Sequence, residues 1–192
     1  MPRFTNPFLA AAAAIALPLA AQGPVDLNGL ASSADRYLSH KLQASPYPIS
    51  RDLILMRGDN GGDEAHLMGR TVDVKRWTIF YNVEASGPSS ETLPRSASVK
   101  CQKGVFGEYL TSPKPVLYCK SIQDTWLAVN LDSAIQQLNA HGYTRGFSRV
   151  EIKRPDRPGF SDELAYVFTC PWERAHVAIS ASTGAYIWFQ AY

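Results

Sequence analysis

The sequence has 192 residues, 19 Lys and Arg against 17 Asp and Glu, a formal net charge of +2 and 11% aromatic residues. Charges of both signs are interspersed, so the balance points neither to nucleic acid nor to an anionic membrane as a partner. The aromatic content suits a packed core and excludes a disordered chain, and the length suits one domain or two small fused ones.

In chain order, Arg3 precedes the Ala-rich apolar segment 8–21. A short positive region followed by an apolar run too short to cross a bilayer predicts a secretory signal over residues 1–21, with no stable membrane anchor after its removal. Leu19 is an imperfect −3 residue for cleavage before Gln22, and no cysteine follows the apolar run to carry a lipid. Residues 22–31 read as a linker. From Ser32 or Ser33, Ala34, Tyr37, Leu38 and Leu42 form one helical stripe, which Pro46 and Pro48 stop.

Strand patterns follow at 49–56 and 72–83, where Trp77, Ile79, Tyr81 and Val83 share a face, and again at 96–102 and 115–122. The stretches 57–71 and 84–95 are Gly-, Ser- and Pro-rich loops, and the piece between the last two strands is a long turn or a short hairpin. A second helix is expected after Asn130 or Asp132, with Leu131, Ala134, Ile135 and Leu138 inward and Gly142 closing it. Val150 and Ile152 alternate with charges. Then come three short apolar runs, LAYVF, HVAIS and AYIWF, an antiparallel meander. The order of a helix and four strands occurs twice, which predicts an internal duplication: a first α+β repeat over 32–124 and a second over 125–192. The expected fold class is α+β, in tandem helix-plus-antiparallel-sheet units.

The second half resembles a PepSY-type domain. The residues that carry this are Tyr166-Val167-Phe168, then Val177 to Gly184 (VAISASTG), then Ala185-Tyr186-Ile187-Trp188, with the helix DSAIQQLNAHGY upstream. The first half fits only as a degenerate copy, lacking Thr-Gly before its last strand. The resemblance implies a binding or inhibitory module, as in propeptides of secreted thermolysin-like metalloproteases. The duplicated outline is also similar to that of β-lactamase inhibitory proteins, with no residue-level match.

Three cysteines are present, Cys101, Cys119 and Cys170. In an oxidising compartment the similar strand contexts of Cys101 and Cys119 make them the expected disulfide, closing a loop of about 18 residues and stabilising by roughly 3 kcal/mol on chain-entropy reasoning. Cys170 is then a buried apolar residue. His40, His66, His141 and His176 have no metal-ligand spacing, and no cofactor is expected. Asp59, Asp63 and Glu64 lie on a Gly-rich loop that lacks the EF-hand's closing Glu and reads as solvated surface. Asp162, Glu163 and Glu173 flank the meander, where strand-end solubility accounts for them.

If alternation holds along the last strand, Tyr186, Trp188, Gln190 and Tyr192 share one face, and the aliphatic residues face the helix. Amphipathic aromatics on an open sheet are what interfaces use. The expected binding residues are therefore Trp172, Tyr186, Trp188 and Tyr192, recognising a protein or peptide, an extracytoplasmic peptidase among the candidates. The opposite assignment, with the Trp face as core, stands beside it. Two other functions compete: a small-ligand binder or hydrolase with a pocket lined by Tyr81, Tyr166 and a carboxylate, and an envelope structural protein.

Overall fold

The computed structural model describes residues 25–43, 48–62, 66–85, 94–117, 119–123, 126–155 and 162–192. The expected export signal, Asp63 and Glu64, and most of the 84–95 loop lie outside the described residues. Helix α1 spans Leu27–Leu42, so the expected linker supplies its first turn. Asp26 is the N-cap, its carboxylate accepting from the Gly29 amide at 2.9 Å. Ala34 and Leu38 are fully buried, as the 3.6-residue spacing predicts. Helix α2 spans Leu131–Ala140 behind an Asn130 cap, and it buries Leu131, Ala134, Ile135 and Leu138.

The strands are β1 (Ile49–Asp59), β2 (Arg76–Ala85), β3 (Ser96–Gln102), β4 (Val105–Ser112), β5 (Cys119–Lys120), β6 (Arg149–Pro155), β7 (Ala165–Cys170), β8 (Ala175–Ser180) and β9 (Tyr186–Ala191). They form one antiparallel sheet in the order β4-β3-β2-β1-β6-β7-β8-β9, with β5 beside β6. The expectation of tandem helix-plus-sheet units is overturned here. Met56, Arg57 and Gly58 of β1 pair with Ile152, Glu151 and Val150 of β6, joining both halves into a single sheet. Two separate sheets would leave β1 and β6 as extra open edges; pairing them satisfies both ladders.

One register row crosses all eight main strands: Tyr109, Val99, Ile79, Met56, Ile152, Tyr166, Ile179 and Tyr186. All of them belong to one apolar core with the buried faces of α1 and α2. Both helices therefore cover the same sheet face and, among the described residues, leave the other without a helix. Within this core Trp77 packs over Gly58, where a Cβ would come 2.7 Å from Val74 Cγ1 and 2.9 Å from Trp77 Cη2.

Two strand expectations change in detail. The expected turn before residue 112 is a full strand, β4, joined to β3 through Lys103 (φ 51°) and Gly104 (φ 77°). Two successive positive-φ residues make the tight hairpin turn that matches strand twist. Of the expected strand 115–122, the described residues form strand at the two residues of β5.

Candidate recognition surface

The turn between β7 and β8 carries Trp172, and the chain reaches the same turn at Tyr192. Arg174 takes positive φ (49°), and its amide donates to the Pro171 carbonyl at 3.2 Å. The Tyr192 amide donates to the Arg174 carbonyl at 2.9 Å, which brings the end of β9 to the same turn. Trp172 is 66% exposed and Tyr192 59% exposed. Each has a polar companion: the Arg145 guanidinium lies 5.6 Å from the Trp172 ring, and the His176 ring lies 4.8 Å from that of Tyr192. His176 is within 3.2 Å of the Thr169 hydroxyl on the neighbouring strand.

On the helix-free face a second row runs Thr78, Arg57, Glu151, Val167, Ala178 and Trp188. Glu151 binds Arg57 at 2.8 Å and Lys153 at 2.6 Å, and Arg149 stands 3.9 Å away. Burial pushes the Glu151 carboxyl up, but Lys153 and Arg57 outweigh it and hold the group below its ordinary value. Arg57 also lies 5.2 Å from the Phe80 ring. Trp188 is half-buried and packs on Ala165, Val167 and Ala178.

The four expected binding residues are thus divided. Trp172 and Tyr192 lie at the same end of the sheet. Trp188 lies on the helix-free face, within a small apolar cluster. Tyr186 turns toward the helices, stacked on His141 with ring centroids 4.6 Å apart. A register shift between Ala178 and Ile179 breaks the alternation that sequence reasoning assumes for β9. Burial, then a hydrogen bond with Tyr143, pushes the Tyr186 hydroxyl up to about 12. Arg145, Arg149 and the Glu151 cluster carried no sequence signal beyond charge next to an apolar run.

No disulfide joins the three cysteines, and the expected Cys101–Cys119 disulfide is corrected. Cys101 lies opposite Trp77, Trp77 opposite Gly58 and Gly58 opposite Val150, whereas Cys119 lies opposite Pro155. Three strand spacings of about 4.8 Å and five residues of about 3.3 Å separate Cys101 from Pro155, and Cys119 is one strand from Pro155, so the two cysteines are far beyond the roughly 4.4–6.8 Å between Cα atoms that a disulfide needs. Cys170 is buried, and burial followed by the nearby Glu173 carboxylate pushes its thiol up to about 12.

The pocket expected around Tyr81 and Tyr166 does not form. These side chains stand on β2 and β7, three strand spacings apart, and both are fully buried. The Tyr166 hydroxyl donates to the Val129 carbonyl at 2.5 Å, which ties the segment before α2 to the sheet. A different cleft, about 110 Å³, opens between α1 and the residues Gln123, Trp126 and Leu127, over Leu53, Met56, Ile122, Ile152 and Leu164. Asn28 fixes its rim by exchanging hydrogen bonds with the Leu127 backbone at 3.2 and 3.1 Å.

Among the described residues no three His, Cys, Asp or Glu side chains gather as a metal site. No helix among them is long and apolar enough to cross a membrane. Ser180 and Glu163 are hydrogen-bonded to each other, and the Ser180 hydroxyl also accepts from the Ser182 and Thr183 amides at 3.2 and 3.0 Å. This bonding assigns the pair to holding the β8–β9 turn.

No protein-family model and no curated protein matches the sequence. Among solved structures, the fold is similar to a crystal structure from Clostridium difficile 630 described as a "putative lipoprotein", with a TM-score of 0.47 and 9% sequence identity over 83% of this chain and 90% of that one.

Proposed function

We propose that this chain is an exported, non-catalytic binding module that recognises a protein or peptide, with regulation or inhibition of an extracytoplasmic peptidase as its role. The observation that supports this most is the exposure of Trp172 and Tyr192 at one end of the sheet, the first beside Arg145 and the second beside His176. Large amphipathic rings held by a tight turn are pre-organised anchors, and they lose little entropy on contact. The buried thiols of Cys101 and Cys170 are pushed up and stay protonated at neutral pH, which suits packing better than nucleophilic chemistry. The N-terminal apolar segment and the PepSY-like ending supply the exported setting and the link to peptidases.

The reading is tested by capture from the extracytoplasmic fraction of the source organism on immobilised wild-type chain and on a Trp172→Ala, Tyr192→Ala double variant. Capture of a peptidase that the folded double variant no longer holds, together with slower turnover by that peptidase when the chain is added, is the expected result. An identical captured set from both chains would remove the recognition role from these rings.

The cleft between α1 and the sheet favours a second reading, a small apolar ligand bound over Leu53, Met56 and Ile152. Ligand-induced shifts of the Met56 methyl resonance would support it; an unchanged spectrum across a panel of short-chain apolar compounds would remove it.

A further inference from the structure

We propose that the partner presents an acidic, extended segment to the end of the sheet where Trp172 and Tyr192 emerge. This rests on the binding-module reading and names the chemistry of what is bound. Three exposed arginines lie at the same end of the sheet as the two rings. Arg174 sits in the turn itself, and Arg145 is stacked on Trp172. Arg149 lies in the register row Arg149, Thr169, His176, Gln190, whose His176 carries Tyr192. At about 4.8 Å per strand, Arg149 stands roughly 10 Å across the face from His176, a span three or four residues of extended peptide cover.

Among the described residues, positive charge exceeds negative here. Glu151 already holds Arg57 at 2.8 Å and Lys153 at 2.6 Å, so Arg149 at 3.9 Å is the third cation on one carboxylate. Glu173, in the same turn as Trp172, has one carboxylate oxygen buried away from the surface. Exposed guanidiniums that flank aromatic anchors favour carboxylates bidentately, and the rings take the apolar residues between them. Charge of this kind sets association rate and choice of partner, and salt weakens it.

The test uses the full chain as bait for a library of twelve-residue peptides displayed on phage, with an Arg145→Glu, Arg174→Glu double variant and a Trp172→Ala variant as counter-baits. Folding of each bait is checked by circular dichroism and thermal midpoint. The expected outcome is enrichment of peptides with Asp or Glu spaced by apolar residues. Their affinity should fall at least tenfold with the charge-reversed chain and several-fold between low and high salt. If the selected peptides are neutral or basic yet still need Trp172, the acidic partner is ruled out and the binding module stands. If all three baits select the same peptides, or none selects any, both readings fall.

Discussion

Tyr186 and Trp188, two residues apart on β9, face opposite sides of the sheet. Tyr186 lies opposite Ile179 and Trp188 opposite Ala178, which are adjacent on β8 and so point to opposite faces. The extra residue, Ile187, absorbs the difference as a bulge. One ring therefore packs toward His141, the C-cap of α2, and the other caps Ala165, Val167 and Ala178.

This separation fixes the order of stability effects. Tyr186→Ala removes a core contact and a ring stack, and should cost about 2–4 kcal/mol. Trp172→Ala and Tyr192→Ala should stay within about 0.5 kcal/mol, because both rings are mostly exposed. Urea unfolding followed by circular dichroism measures all three. A Trp172→Ala cost equal to that of Tyr186→Ala would contradict the assigned faces.

Glu151 makes stability depend on acid. Its folded value lies below the ordinary 4.5, so the stabilisation it contributes is fully present above that value and is lost as pH falls through the folded value. Glu151→Gln leaves Arg57 and Lys153 half-compensated and should cost about 1–3 kcal/mol at pH 7. Towards pH 3 the gap between wild type and variant should narrow. Denaturant midpoints at several pH values give the curve; a gap independent of pH would assign the effect to lost packing instead.

Cys101 and Cys170 should resist a thiol reagent at pH 8 in the folded chain and react when it is unfolded. The Cys170 thiol is raised from 9.0 to about 12, so folding stability it supports is present below pH 9 and is lost as pH rises towards 12. Because Cys101 and Cys119 are too far apart to join, a reductant should leave the melting temperature unchanged. A reductant-dependent drop of several degrees would show that the pair does cross-link.

Gly58→Ala should destabilise by about 1–3 kcal/mol through overpacking. The added Cβ would meet Val74 Cγ1 at 2.7 Å and Trp77 Cη2 at 2.9 Å, both within the packed core. Gly69→Ala, where nothing lies within 4 Å of the new atom, is the control and should be near neutral. Thermal unfolding of the two variants compares them directly.

Local pattern in the sequence determined most elements: the α1 stripe of Ala34 and Leu38, the four inward residues of α2, the Asn130 cap, and the three closing strands. Each depends on contacts within a few residues, where a period of 3.6 or 2 follows from backbone geometry alone. Burial of Cys170 also follows from its place at the end of an apolar strand. The tertiary structure decided three matters that local pattern does not encode. The β1–β6 pairing merges the expected tandem units into one sheet, since which strands become neighbours depends on edges far apart in the chain. The bulge at Ile187 turned Tyr186 toward the core, because an extra residue puts the side chains before and after it out of alternation. The Cys101–Cys119 disulfide was lost for the same reason as the tandem units: similar strand contexts say nothing about how many strands lie between them.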